Sequence, residues 1–173
     1  MKNITILING HPNSGKSTMV ETLKIDLVQY KEFFTFDYDG NFIKAANICK
    51  PDDKECFRGA KIKILSGIKE ASKKVNMVPD LLLTSKEVGT LKYSIRNDNV
   101  DVIAIRLFCN QNVREKRDKD RRKKNPNAPY GFNDSLNPLP NPIVYDLEID
   151  TSTKTVKVVC NEITAFMKSK DLL

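Results

Sequence analysis

No apolar run in the 173-residue sequence approaches the roughly 18 residues that span a bilayer. The opening MKNITILING turns polar at HPNSGK before it could act as a signal peptide. Both absences predict a cytoplasmic protein with no membrane partner. The four cysteines, Cys49, Cys56, Cys109 and Cys160, form no CxxC pair, and a single histidine accompanies them, which argues against a structural zinc. They read instead as reduced core or helix thiols. Internal repeats and low-complexity tracts are also missing.

What is present is the composition of a globular chain, 40 % hydrophobic and 29 % charged. Its length suits one domain, residues 1–173, able to bury roughly 70 % of its unfolded surface. The net charge of +7 is uneven, with much of the excess in residues 114–124 (REKRDKDRRKK). That concentration points to a local anionic ligand as readily as to a polyanion surface.

Hydrophobic patterning alternates strand and helix. Residues 4–8 (ITILI) read as a strand buried on both faces, and 17–28 place Met19, Val20, Leu23, Leu27 and Val28 at helical spacing. A β-like run at 33–36 (FFTF) leads into a turn-rich DYDGN. A helix over 56–75 aligns Ile62, Leu65, Ile68, Ala71 and Val75. Residues 81–83 behind Pro79, a short helix to Arg96, a buried strand at 102–108 and a helix from Asn110 follow. Residues 125–142 hold five prolines and read as a long loop. A strand at 144–149 and a helix from about Thr155, capped from Asp150-Thr151-Ser152, close the chain. Successive βα units predict a three-layer α/β/α sandwich with a parallel sheet.

Between the first strand and helix lies GHPNSGKST, a match to G-x-x-x-x-G-K-[ST]. Gly10 and Gly15 permit a turn whose N–H groups point inward around phosphates, Lys16 brings positive charge to them, and the Ser17 hydroxyl suits Mg²⁺. Asn13, Ser14 and Thr18 complete the expected phosphate set, at a helix N-terminus that favours anions. The expected ligands are therefore ATP and Mg²⁺. Asp37-Tyr38-Asp39-Gly40 contains D-x-x-G, but no NKxD follows to read guanine, and neither 81–85 nor 102–108 ends in the Asp-Glu of a motor ATPase. A small-molecule kinase with a lid over about 114–142 fits better.

Such a kinase aligns an acceptor hydroxyl with the γ-phosphoryl group and neutralises its charge. Asp37 and Asp39 stand just past the second strand, where doubly wound sheets bind ligands; one suits the acceptor's proton and the other Mg²⁺ through water, with Asp39 the better base. Arg114, Arg117, Arg121 and Arg122 share a helical region able to meet phosphates, and Arg117 and Arg121 are the candidates for nucleotide contact. Lys119, Lys123 and Lys124 read as a solvated face.

These residues resemble the adenylylsulfate kinases. Residues 37–41 (DYDGN) are similar to that family's D-G-D-N after the second strand, and Arg117-Asp118 to its Arg-Asp at the root of the lid. Gly131-Phe132 with Pro138 and Pro142 resembles the lid segment whose phenylalanine stacks on the acceptor adenine, and LEIDTS resembles the last strand and helix start. The resemblance implies transfer of the ATP γ-phosphate to adenylylsulfate or a related nucleotide, with Asp39, Asn41, Arg58 and Phe132 on the acceptor, and a possible homodimer. The chain departs from the family at 85–89 (SKEVG), where the family has I-S-P-Y-R, and at Lys44, where an arginine is displaced. A nucleotide or nucleoside kinase, a kinase of another nucleotide-linked acceptor, and a nucleic-acid binder using 114–124 are the alternatives, the last least favoured.

Overall fold

The computed structural model describes residues 2–50, 52–97, 99–126 and 141–173, and of Asp39, Ile43 and Ala46 the backbone alone. Strand β1 (Asn3–Gly10) is buried along nearly its whole length, as a strand covered on both faces requires. It is the middle strand of a sheet with β2 (Phe34–Asp37), β3 (Met77–Leu81), β4 (Val100–Phe108) and β5 (Leu147–Asp150). The order is β2-β3-β1-β4-β5 and every pairing is parallel.

Alternation along the strands builds two cores. Ile4, Ile6 and Ile8 of β1 and Ile103, Ile105 and Leu107 of β4 face helices α1 (Lys16–Leu27) and α6 (Val156–Ser169). Leu7, Val102 and Ala104 face the other way, onto α2 (Tyr38–Ala46), α3 (Lys54–Ser72) and α4 (Ser85–Ile95). This is the three-layer α/β/α sandwich expected. Helix α5 (Gln111–Lys124) differs from the rest, because the residues it buries are Arg114 and Asp118. Polar contacts hold it in place.

Several expected boundaries move. Of residues 37–41, read as turn-rich, Tyr38 to Asn41 form the start of α2. Tyr38 and Phe42 stack one helical turn apart at 5.9 Å, and Asp37 Oδ1 accepts the Gly40 N–H at 2.9 Å. Burying that pair offsets the roughly 1 kcal/mol helix penalty of Gly40. The third strand lies earlier than 81–83, with Pro79 inside it opposite Phe36; on the β1 side the register passes from Thr5–Met77 to Ile8–Asp80 across the residue that lacks an N–H. The last strand starts at Leu147, since Val144 and Tyr145 turn to donate their N–H groups to the Asn141 carbonyl. Helix α6 is capped by Thr155, whose hydroxyl accepts from Val158 N, rather than by residues 150–152. Ile62 and Val28 are exposed, not core: in α3 the buried positions are Ile64, Ile68 and Ser72, and Val28 is the C-cap of α1.

A larger correction concerns the cysteines. Cys49 and Cys56, expected as reduced thiols, are joined in a disulfide. Asp53 caps α3 by accepting the Cys56 N–H at 2.9 Å, which turns the helix start back toward the end of α2 and brings the two Cα atoms to 5.7 Å. Cys109 and Cys160 are buried thiols, as expected. Burial pushes the Cys160 thiol up to about 12, and it also raises Cys109 against the opposing pull of Arg117. Iodoacetamide at pH 8 is therefore expected to label neither Cys109 nor Cys160 in the folded protein, and to label Cys49 and Cys56 only after a reductant is added. The bridge closes a short loop, so reduction is expected to lower the unfolding free energy by about 2 kcal/mol, read from urea denaturation with and without reductant.

Candidate active site

The chain leaves β1 at Gly10, where a Cβ would stand 2.2 Å from the Leu107 carbonyl oxygen of β4 and 2.8 Å from Ser14 Oγ. Only glycine lets the turn start this close to the sheet. The turn then closes through Ser14 N to the His11 carbonyl at 3.2 Å. Asn13 at φ 63° and Gly15 at φ 95° take the left-handed conformation. Gly15 is the N-cap of α1 and contributes no side-chain cap, which leaves the first-turn N–H groups for a ligand. Lys16 is buried, and its Nζ donates to the His11 carbonyl at 3.1 Å.

Ser17 and Lys16 meet a residue not anticipated from the sequence. Asp80, near the end of β3 and 7 % exposed, accepts the Ser17 hydroxyl at 2.5 Å, and its Oδ1 lies 4.0 Å from Lys16 Nζ. The signal was a carboxylate close behind the apolar residues of MVPDLLL, obscured because the strand was placed after Pro79 instead of around it. A cavity of about 340 Å³ opens over this turn, lined by Asn13, Gly15, Lys16, Ser17, Arg117 and Arg121 among others. A second, of about 220 Å³, brings Asp37 and Glu21 together with Ser17 and Asp80. A third, of about 210 Å³, lies beside Ser14, Gly15 and Thr18 and has the apolar wall Met19, Val156 and Val159, with Lys154 and Thr151 at its edge.

Arg117 joins these parts. Its guanidinium donates to the Asn13 carbonyl at 3.2 Å, to Thr151 Oγ1 at 3.2 Å and to the Thr151 carbonyl at 2.7 Å, while Thr151 Oγ1 donates to the Ser14 carbonyl at 2.8 Å. Thr151, read from the sequence as part of a helix cap, is thus a brace of the phosphate turn. Arg121 pairs with Asp118 at 2.7 Å and Arg122 with the same carboxylate at 2.9 Å. Burial alone would raise the Asp118 carboxyl, but hydrogen bonds from Arg121 and Asn13 and the charge of Arg122 hold it below the usual carboxylate range. Arg114 is buried, with Nη1 3.3 Å from His11 Nδ1.

On the acceptor side the expectations divide. Asn41 is exposed and donates to the Asp37 carbonyl at 2.6 Å, within the first turn of α2. Arg58 points to solvent and lies 3.9 Å from Glu55 on its own helix, so it is not brought to the phosphate turn. Asp39 has its backbone in α2, but its side chain lies outside the described residues, as do Gly131, Phe132 and Pro138 with residues 127–140 of the expected lid.

With this geometry in hand, a family model for chloramphenicol phosphotransferase-like proteins matches residues 3–168. The chain belongs to that family. It is a phosphotransferase on a P-loop kinase fold. Among curated proteins nothing matches. The Mycobacterium tuberculosis APS kinase CysC, solved with AMPPNP and APS, aligns with a TM-score of 0.69 at 13 % identity over 96 % of this chain and 98 % of that one. Shikimate kinase from Acinetobacter baumannii, in complex with shikimate, gives 0.64 at 15 % identity over 98 % and 95 %. A structure described as APE1195 gives 0.69 at 16 % over 97 % and 96 %. The likeness to adenylylsulfate kinases holds at the level of the fold.

Because the nearest group facing Gly10, the Leu107 carbonyl, is backbone of β4, it does not move aside cheaply. Gly10→Ala is expected to cost about 2 kcal/mol or more, measured as a lowered urea midpoint.

Proposed function

We propose that the protein is an ATP-dependent, Mg²⁺-requiring kinase that transfers the γ-phosphoryl group to a hydroxyl of a small-molecule acceptor. The observation that carries this reading is the contact of Ser17 with Asp80 beside the buried Lys16, at the point where the phosphate cavity meets the cavity holding Asp37. A hydroxyl and a carboxylate side by side are hard oxygen donors suited to Mg²⁺, which when bound supplies charge neutralisation on the donor phosphates. Lys16 and the α1 N–H groups would cradle the triphosphate. Arg117 and Arg121 would neutralise the transferred group, and the base would rest against Met19, Val156 and Val159. Asp37, whose carboxylate accepts the Gly40 N–H, would orient the acceptor hydroxyl and receive its proton. Asp39 is the second candidate for that proton.

Two acceptor readings differ in charge. Among the described residues, the charged side chains lining the acceptor-side cavity are Glu21, Asp37 and Asp80, all carboxylates, and Arg58 faces solvent. This favours a neutral hydroxyl compound, a class that includes the chloramphenicol of the family's name. The second reading, adenylylsulfate or a related nucleotide, is favoured by DYDGN and Arg117-Asp118. The internal partners of Arg114, Arg117, Arg121 and Arg122 speak for a phosphate site over a nucleic-acid surface.

The test is ADP release with Mg²⁺-ATP over chloramphenicol, shikimate, nucleosides, nucleoside monophosphates and adenylylsulfate. Turnover of a neutral hydroxyl compound, lost by at least 100-fold in Lys16→Ala, is the expected result, in keeping with the loss of a preorganised charge at the moving group. Turnover of adenylylsulfate alone supports the second reading. Absence of Mg²⁺-ATP binding by calorimetry would sink both.

A further inference from the structure

Helix α5 carries the most concentrated positive charge of the chain and has a carboxylate at its centre. Asp118 is 1 % exposed. Pairs between residues three and four apart on a helix are ordinarily solvated and weak. Here the shared carboxylate is interior, and its third partner lies 105 residues away: Asn13 Nδ2 donates to Asp118 Oδ1 at 3.2 Å. Asn13 is the left-handed residue of the phosphate turn, and its carbonyl is held by Arg117 from the other side. Adjacent residues of α5 thus grip the side chain and the main chain of one turn residue.

We propose that Asp118 is a positioning residue for the phosphoryl donor. Its carboxylate ties Arg121, Arg122 and the tip of the phosphate turn into one junction, which keeps Arg121 at the phosphate cavity before the donor arrives. When the donor enters, Arg121 exchanges Asp118 for phosphate oxygens while Arg122 and Asn13 stay with the carboxylate. The charges require such a group. Lys16, Arg114, Arg117, Arg121 and Arg122 converge on one side of the sheet edge, and without an interior anion their mutual repulsion would splay α5 away from the turn.

The donor part of this inference rests on the ATP reading; the restraint of α5 does not. The experiment separates them. In nucleotide-free protein, trypsin cleavage after Arg121 and Arg122, followed by mass spectrometry, is expected to be about tenfold faster in Asp118→Asn than in wild type, the loss of a charge-assisted hydrogen bond read as a rate. Cleavage after Lys61 and Lys92 is expected to stay unchanged. Equal rates after Arg121 and Arg122 overturn the restraint, whether or not ATP is the ligand. By calorimetry, Mg²⁺-ATP is expected to bind Asp118→Asn about tenfold more weakly, Asp118→Glu to recover most of that loss, and Asp118→Asn/Arg121→Gln to lose no more than Arg121→Gln alone. Additive losses, or wild-type affinity in Asp118→Asn, overturn the handover. Should Asp118→Asn not fold, Arg121→Gln carries the test, since it leaves the carboxylate paired with Arg122 and Asn13. Wild-type ATP affinity in that variant overturns the proposal.

Discussion

The approach of Gly10 to the Leu107 carbonyl of β4 is the constraint on which the site depends. A main chain that leaves a central strand this close to its neighbour has no room for a side chain, and it must turn at once. The next residues reverse direction through the His11–Ser14 hydrogen bond, and two left-handed positions deliver the chain into α1 with its first N–H groups uncapped. Burial fixes what lies beneath: Ile4, Ile6 and Ile8 on one face and Leu7 on the other leave β1 no freedom to slip, because a shift of one residue would exchange the two cores. The phosphate turn inherits its position from hydrophobic packing and its shape from one close backbone contact.

Helix α5 is organised on the opposite principle. It has almost no apolar face to bury, and its interior residues are an arginine and an aspartate. Its docking therefore depends on directional contacts: Arg117 with Thr151 and Asn13, Asp118 with Asn13, and Arg114 beside His11. Such contacts are worth about 1–3 kcal/mol each when one partner is charged, and they exchange readily for contacts of the same kind. An apolar helix would be held more firmly but could not hand its groups to a ligand. On the proposed reading, the helix that would supply groups to a phosphate is thus joined to the turn by bonds that a phosphate could replace.

Legibility in the sequence followed the same division. Periodicity and short apolar runs showed β1, α1, β2, α4, β4 and α6 and the order of layers, because each follows from burial repeated over several residues. The phosphate turn was legible because glycine, lysine and serine at fixed spacing have few other uses. What escaped depended on partners remote in sequence. Asp80 becomes recognisable only when β3 is set beside β1, which places it opposite Ile8 and in reach of Ser17. Thr151 looked like a cap until β5 carried it to Ser14. The helix at 38–46 was hidden by Gly40 and Asn41, whose local preference for turns yields to the burial of Tyr38 beside Phe42. The disulfide was hidden because a sequence separation of seven says nothing about whether two helix ends face each other.

The acceptor side carries the remaining step, and it turns on sign of charge. Over the turn, Lys16, Arg117 and Arg121 make a positive cavity, while Glu21, Asp37 and Asp80 make the adjoining one negative. On the proposed reading a field directed this way would draw an anionic donor to one side and disfavour a second anion on the other, by an amount that water around the exposed Glu21 and Asp37 keeps small. An acceptor hydroxyl on a neutral molecule meets no such opposition. In the proposed reaction its proton would move toward a carboxylate while the charge left on the ADP leaving group would stay beside the guanidinium groups; the phosphoryl group itself would cross from the positive cavity to the negative one, and the Mg²⁺ that Ser17 and Asp80 would hold offsets that repulsion. Arg58 stands in solvent against Glu55 and does not line this cavity. On the proposed reading, discrimination between neutral and anionic acceptors would follow from where the carboxylates sit on β2, α1 and β3, fixed by the same sheet that fixes the phosphate turn.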